Sequence, residues 1–368
     1  MKYIVVSAVN LVEGGTLMIL KNLLEYLDKW ILDRQGDYKV LILTYSKTLC
    51  YHSNPNFEYV EFKWPKKSWI FRLYCEYIYF YFYSKKIKPY IWFSVHDITP
   101  NVYAEKKIVY CHNPTPFYHP RFCDIKYSCK VFLFSLFYKY LYRINIHKNT
   151  FIIVQQEWIR NEFMKMYSID SRKIIVAYPV GKKAPKKLSL ESNTDRTVFF
   201  YPSLSRPFKN FEVIGAAVEI LRKKNIFDYE VILTIDGTEN NYANWIYNRF
   251  GYLDNLKFIG KISYDDVAEF YEKTTCLIFP SKLETWGLPI SEFSAYNKPM
   301  LIADLPYAKE TASFSQYVSF FDPFNPLELS NKMQSIISGN REFFNKCTMK
   351  KIQYPFAQSW EDVFKIIL

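Results

Sequence analysis

Short runs rich in Val, Ile, Phe and Tyr alternate with stretches of helical periodicity along most of the chain, and this alternation limits the fold more than any other feature. YIVVSAV (3–9) precedes a segment in which Leu17, Leu20, Leu23, Leu24, Leu27 and Ile31 recur at helical spacing. KVLILTY (39–45), FEYVEF (57–62), YIWFSV (90–95), KKIVYC (106–111) and FIIVQ (151–155) follow as strands. A second series opens near IIVAYP (174–179) and runs through TVFFYP (197–202), EVILTI (230–235), LKFIG (256–260), CLIFP (276–280) and PMLIAD (299–304). Strands that alternate with helices build βαβ units and mostly parallel sheets. A chain of 368 residues exceeds what one core usually holds. The expected fold is therefore α/β, two doubly wound halves of similar size. The polar run GKKAPKKLSLESNTD (181–195) reads as a linker or exposed turn. Ligands of such sheets bind at the carboxyl ends of the strands, at the switch point, and a crevice between two such halves is the expected site.

The formal net charge is +12, which suits anionic partners such as nucleic acid, an anionic membrane or anionic small molecules. Residues 63–88 interleave Lys63, Lys66, Lys67, Arg72, Lys85, Lys86 and Lys88 with Trp64, Trp69, Phe71 and a run of tyrosines, and residues 126–148 repeat the style. Neither holds 18 uninterrupted apolar residues, the length that marks a membrane span. They read as amphipathic helices on a membrane surface, or as ordinary half-buried helices with their lysines lying along apolar surface. Seven cysteines, none at C-x-x-C spacing, form neither a disulfide framework nor a zinc site and point to a reducing, cytoplasmic setting. MKYIVVSAVN reads as a first strand, since no small-residue cleavage site follows it.

Chemistry concentrates in three stretches. In ETWGLPISE (284–292) a glutamate stands at each end of a Trp-Gly-Leu-Pro turn. Gly287 permits close backbone approach, and Pro289 suits the first turn of a helix. Glu292 falls about one turn into that helix, and Glu284 in the loop before it. Free amides at a helix start attract anions, and acids beside them suit sugar hydroxyls, as in dinucleotide folds. The other reading is a capping loop with acids favoured by the helix dipole. In FFYPSLSRPFKNFEVIGAA (199–217), Arg206 and Lys209 stand between a strand end and a helix, where cations can clamp a diphosphate; the other reading, which this loop alone would favour, is a solvated basic loop. In VNLVEGGTLMIL (9–20), Gly14 and Gly15 open a helix after the first strand and let a phosphate or sugar approach. That is not G-x-G-x-x-G, so a dinucleotide dehydrogenase is poorly supported. His112 ends a strand in IVYCHNPTPFYHP. No D-x-D occurs, which removes the usual cue for a carboxylate-held divalent ion on a nucleotide diphosphate. G-x-S-x-G, Walker and kinase signatures are also missing.

These residues resemble a family. FPSKLETWGLPISEFSAYNKPMLIADLP, with its E-x7-E from Glu284 to Glu292, and YPSLSRPFKNFEVI are similar to the GT-B glycosyltransferases of family 4, the group 1 glycosyltransferases. Weaker echoes are Gly14-Gly15, His112 in YCHNP, and the Trp360 helix near the end. The resemblance implies a GT-B fold: a Rossmann-like acceptor domain over 1–175, a Rossmann-like donor domain over 176–352, and a helix at 353–368 crossing back to the first. It implies a nucleotide diphosphate sugar donor, UDP- or GDP-linked, and no further cofactor or metal. Arg206 and Lys209 are then expected to bind the diphosphate and stabilise the leaving group. Glu292 is expected to bind ribose hydroxyls, and Glu284, with amides near Trp286, Gly287 and Leu288, the transferred sugar. Gly14 and Gly15 are expected to let the first domain close on the donor, and His112 to sit by the reacting sugar. Gly260 and Lys261, after LKFI, are expected to border the base. Trp286 stands where the family more often has Phe.

The family is retaining. Leaving-group stabilisation by cations, with the acceptor attacking on the same face, needs no side-chain nucleophile, and none emerges here. The implied activity is hexose transfer to a glycan acceptor, lipid-linked, in O-antigen, lipopolysaccharide or capsule assembly. The basic aromatic segments place such an enzyme in the cytoplasm, peripheral on the inner face of the plasma membrane. Rival readings are a sugar-nucleotide epimerase of the same fold, a nucleic-acid binder using its basic aromatic segments, and an inactive scaffold.

Overall fold

The computed structural model describes residues 1–34, 37–118, 124–179, 196–348 and 351–368, with side chains at all of these except 124–131 and 314. The expected linker at 181–195 lies outside the described residues. The chain divides into two compact units, one of Met1–Phe117, Leu136–Val180 and Ile352–Leu368, the other of Tyr118–Ser135 and Gly181–Lys351.

The first unit follows the alternation in the sequence: β1 (Lys2–Ala8), α1 (Gly14–Leu32), β2 (Tyr38–Thr44), β3 (Phe57–Glu61), α2 (Trp69–Tyr74), α3 (Phe80–Ile87), β4 (Ile91–Ser94), β5 (Lys106–Cys111), the part of α4 (Asp124–Arg143) from Leu136 onward, β6 (Phe151–Val154), α5 (Glu157–Tyr167) and β7 (Ile174–Ala177). The second holds β8 (Thr197–Tyr201), α6 (Phe211–Lys223), β9 (Tyr229–Leu233), α7 (Asn241–Phe250), β10 (Leu256–Phe258), α8 (Tyr264–Lys273), β11 (Cys276–Phe279), α9 (Leu288–Ser294), β12 (Met300–Ala303), α10 (Pro306–Thr311), β13 (Val318–Phe321) and α11 (Pro326–Ile337). β14 (Phe356–Ala357) and α12 (Trp360–Ile367) then return to the first unit.

The first sheet has the order β14-β7-β6-β5-β4-β1-β2-β3, the second β10-β9-β8-β11-β12-β13. Every described strand pair is parallel. Strands of parallel sheets are covered on both faces and read as continuous apolar runs; Ile4 to Ala8 and Val40 to Leu43 are buried without interruption. Ile4 lies between Val40 and Ile91 in register. The first sheet changes direction between β1 and β4, the second between β8 and β11. The loops that leave these strands therefore diverge, which opens a hollow at their carboxyl ends.

One boundary differs from the sequence reading. IIVAYP, taken as the opening of the second unit, instead supplies β7 of the first sheet, where Ile174–Val176 pair with Ile152–Val154, and Val176 and Ala177 with Phe356 and Ala357. A buried apolar run looks the same at the last strand of one sheet and the first of the next; pairing alone separates them.

The basic aromatic stretch 63–88 forms a 3-10 turn at Trp64–Lys66, α2, a π-helical turn over Cys75–Tyr79, and α3. Ser68 caps it, accepting from the Phe71 amide at 3.3 Å. Arg72, Cys75, Glu76, Phe80 and Ser84 form the buried face. Ile70, 79% exposed, and Phe82, 66% exposed, stand on the other face with Phe71, Tyr74 and Ile78. No helix among the described residues is long and apolar enough to cross a membrane.

The chain end is fastened to the first unit by packing and by charge. The Phe364 ring lies 5.2 Å from Tyr26 and 5.7 Å from Trp30 on α1, and Trp360 packs 5.9 Å from Tyr110. Arg160, buried on α5, donates to the Gln353 and Pro355 carbonyls at 2.9 and 3.2 Å and pairs with Glu157. Arg160→Ala leaves two carbonyls and a carboxylate short of a partner, at a cost of about 2–4 kcal/mol. Urea denaturation is expected to show a lowered midpoint, and limited proteolysis a faster loss of residues 352–368; unchanged values in both contradict the fastening.

Candidate active site

β8 ends at Tyr201, and Pro207–Lys209 makes one 3-10 turn before α6. Asn210, at φ 61°, joins that turn to the helix. Asparagine tolerates this left-handed conformation better than most residues, and here its side chain is also used: Nδ2 donates to the Pro280 carbonyl at 3.1 Å and to the Pro323 carbonyl at 2.8 Å. It thereby ties the loop after β8 to those after β11 and β13. The Tyr201 hydroxyl donates to the Lys209 carbonyl at 2.8 Å, and the Lys282 amide to the Phe208 carbonyl at 2.7 Å.

On this frame the Lys209 ammonium bonds the Glu284 carboxylate. Their side chains are only 17% and 13% exposed. The ammonium also lies 5.8 Å from the ring centroids of Phe208 and Phe279, within cation–π range. Lys209 follows β8 and Glu284 follows β11, so the pair sits where the second sheet reverses. Beside it Lys282 pairs with Glu212 at 2.8 Å. Arg206 is exposed, with no ion-pair partner among the described residues.

Gly287 adopts φ +86°, and a Cβ there lies 3.2 Å from Ile290 Cδ1 and 3.5 Å from the Phe279 ring. The loop accordingly packs flat against the end of β11 and turns into α9, with Leu288 and Pro289 in its first turn. Trp286 is buried; its indole N–H donates to Ser291 Oγ at 3.1 Å, and its carbonyl accepts from the Thr311 hydroxyl. Its ring holds the turn in place. Glu292 accepts hydrogen bonds from Tyr264 at 2.9 Å and Tyr271 at 3.1 Å. Burial first, then this carboxylate, raises both phenols above their ordinary range. The two glutamates of the motif thus have different partners. Gly260, at φ +72°, lies two residues after β10, and a Cβ there would fall 2.7 Å from Asp236 Oδ2; Lys261 beside it is exposed.

In the first unit Gly14, at φ +69°, starts α1, and Gly15 follows it; both are exposed. His112 follows β5. Its amide donates to Asp97 Oδ1 at 2.7 Å, and its Nε2 lies 3.4 Å from Asp97 Oδ2. Next to Asp97, His96 is sealed in a polar cluster: Nδ1 is 2.7 Å from the Arg72 guanidinium, and Nε2 is 3.1 Å from Ser7 Oγ and 3.5 Å from Glu76 Oε1. Arg72 Nε and Glu76 Oε1 approach to 2.9 Å as an ion pair without hydrogen-bond alignment. Ser7 is the penultimate residue of β1 and His96 follows β4, so this cluster marks the reversal of the first sheet.

Residues 182–352 match the family described as glycosyl transferases group 1. That span begins one residue into the expected linker and runs to the end of the Gly181–Lys351 segment of the second unit. Residues 182–352 belong to the group 1 glycosyl transferases. The O-antigen chain mannosyltransferase RfbU of Salmonella typhimurium is 22% identical over 202 residues, 54% of this chain and 52% of that protein, so the alignment spans about half the relative's length. Among solved structures, the apo lipopolysaccharide outer core galactosyltransferase WaaB superposes with a TM-score of 0.61 at 14% identity, over 93% of this chain and 92% of that one. Anabaena Alr3699/HepE in complex with UDP-glucose gives 0.61 at 14%, over 92% and 90%. The two parallel-sheet units thus have the GT-B fold, as the resemblance implied.

The sequence reading omitted several residues that shape the site. Asn210, Lys282 and Glu212 frame the Lys209–Glu284 pair, Tyr264 and Tyr271 hold Glu292, and Asp97 holds His112. Lys282 stands two residues before Glu284 in the quoted motif, and Asp97 directly follows the polar His96 at a strand end; those were the available signals. Arg72 and Glu76 carried none, because they lie on a stretch that reads as a solvated basic helix.

Burial raises the Glu76 carboxyl from 4.5 to about 7, against the opposing pull of Arg72. Between those two values the folded protein holds a proton that the unfolded chain has released, so stability is lost as pH rises through that window. Burial, then Arg72, holds His96 well below its ordinary range, and that contribution cancels between variants that both keep His96. Going from pH 5 to pH 8, Glu76→Gln is expected to lose less stability than the wild type, by on the order of 2–3 kcal/mol. Urea denaturation at both pH values checks this, and equal losses contradict it.

Proposed function

We propose that the chain is a retaining, metal-independent glycosyltransferase that moves a hexose from a UDP- or GDP-linked donor to a glycan acceptor in O-antigen, lipopolysaccharide or capsule synthesis. The observation that carries this reading is the Lys209–Glu284 pair at the reversal of the second sheet. A donor diphosphate is a stronger partner for the ammonium than one carboxylate, because it brings more charge and more acceptor oxygens. When it takes Lys209, Glu284 is released to accept from the hydroxyls of the transferred sugar. Arg206, exposed three residues earlier, adds a second cation. Lys209 then neutralises the charge that develops on the leaving phosphate, which lowers the barrier without a side-chain nucleophile. Gly287 and the Leu288 amide lie on the same turn as Glu284, and Gly260 and Lys261 border the base. Glu292 reads the ribose by exchanging one tyrosine hydroxyl for a ribose hydroxyl. Gly14, Gly15 and His112 act from the first unit, His112 at the reacting sugar.

Three comparisons support this reading: the group 1 match over 182–352, the likeness to an O-antigen chain mannosyltransferase, and the UDP-glucose held by a structure of the same fold. Lys209→Ala and Glu284→Ala are each expected to lower sugar transfer by about 100-fold or more, with the thermal midpoint little changed. Wild-type turnover in both variants refutes the assignment. Conversion of a sugar nucleotide without any acceptor assigns the site to an epimerase instead.

The acceptor in this proposal is lipid-linked, and the enzyme is cytoplasmic and peripheral on the inner face of the plasma membrane. The outer face of α2 and α3 supports it, since Ile70, Phe71, Ile78 and Phe82 are exposed beside Lys66, Lys67, Lys85 and Lys86. Apolar insertion with nearby cations is how peripheral helices hold anionic bilayers. Flotation with phosphatidylglycerol vesicles is expected to carry the wild type and to lose Ile70→Ser/Phe82→Ser; absence of the wild type from the vesicle fraction contradicts the membrane assignment.

A further inference from the structure

Asp97 is a heavily engaged carboxylate outside the donor motif. Its Oδ1 accepts from the His112 amide at 2.7 Å, the Asn113 amide at 3.0 Å and the Tyr142 hydroxyl at 2.8 Å. Its Oδ2 lies 3.4 Å from His112 Nε2. The carboxylate is buried, and a buried charge is tolerated when it is hydrogen-bonded in this way. Its backbone is at φ +71°, a left-handed conformation that costs a side-chain-bearing residue about 1–2 kcal/mol. That conformation lets the Asp97 amide donate to the Tyr110 carbonyl at 3.0 Å while the side chain reaches the turn after β5. Strain of this kind persists where the surroundings hold it, and it gathers at functional sites.

The imidazole of His112 shows the consequence. Its side chain is 9% exposed, and Nδ1 is buried without a hydrogen-bond partner. A buried nitrogen left without a partner is costly, and it is the mark of an atom kept for a ligand. Of the two ring nitrogens, Nε2 faces the negative charge. We propose that Asp97 is a positioning residue for sugar transfer, holding the turn of His112 and drawing the imidazole proton to Nε2 so that Nδ1 presents a lone pair to a sugar hydroxyl. This rests on the reading that His112 meets the transferred sugar. A neutral histidine has one donor and one acceptor nitrogen, and the group facing one of them selects the tautomer.

The test has a spectroscopic arm and a kinetic arm. In two-bond 1H–15N spectra of the 15N-labelled full chain, with His112 assigned by its loss in His112→Gln, neutral His112 is expected as the Nε2–H tautomer. Asp97→Asn, which can keep an oxygen toward the two amides but lacks the charge, is expected to shift it toward Nδ1–H. In transfer assays Asp97→Asn is expected to lower kcat roughly 10- to 100-fold while the donor KM stays within about twofold, the pattern of a residue that acts on the transition state. In a His112→Gln background the same substitution is expected to cost nothing further, since it acts through His112. An Nδ1–H tautomer in the wild type overturns the proposal, whether or not the variants fold. An unchanged imidazole spectrum in Asp97→Asn, or equal kcat losses with and without His112, also overturns it. If the wild type transfers no sugar, the functional reading fails, and the tautomer still decides whether Asp97 governs His112.

Discussion

Each sheet reverses its strand order once, and the residues argued to meet the donor diphosphate and its transferred sugar cluster around those two reversals. A parallel sheet has little choice here. Crossovers of one hand carry the chain outward from a central strand in one direction and then in the other, and the loops at the reversal part from each other. Between β8 and β11 the parted loops bring Lys209 opposite Glu284. Between β1 and β4 they bring Gly14 and Gly15 into one loop and His96 and Asp97 into the other, with His112 one strand further along. The chemistry follows from the topology: these are loops that have to end in polar groups, because their backbone amides and carbonyls are no longer paired within the sheet.

The polar groups at the two reversals are held in different ways. In the second unit the ion pair is partly open to solvent, and in the proposed function its members exchange partners when the donor binds. In the first unit the groups are sealed. Arg72, Glu76 and His96 are buried together, and Asp97 Oδ1 accepts from three donors. An acid held by three donors behind His112 and an acid held by one ion pair beside Lys209 suit different tasks in the proposed reaction, one to orient and one to release. Pre-organised dipoles need no rearrangement during reaction, whereas a substrate-exchangeable pair keeps the charge of the cation compensated until the donor binds.

Much of this was legible in the sequence. The strands were visible because buried parallel strands are continuous apolar runs, and Lys209, Glu284 and Gly287 because they sit at strand ends beside helix starts. Gly287 was legible for a physical reason, since the left-handed turn before Pro289 favours glycine. The Glu292 contacts were not legible, because Tyr264 and Tyr271 reach it from a helix far away in sequence. Asp97 was hidden by its neighbours: an acid after a strand usually caps a loop, and only the fold brings the His112 amide and the Tyr142 hydroxyl onto it. The membership of β7 was hidden because a buried apolar run looks the same in either sheet, and because one of its two partners, β14, lies more than a hundred residues later.

The claim that Lys209 gives up Glu284 for the donor diphosphate is tested most directly by a crystal structure with a UDP- or GDP-linked sugar, or the free diphosphate, bound. The account predicts a diphosphate oxygen within hydrogen-bond distance of Lys209 Nζ, with Glu284 turned toward the sugar hydroxyls. A bound donor whose phosphates lie elsewhere, with Lys209 still paired to Glu284, contradicts it.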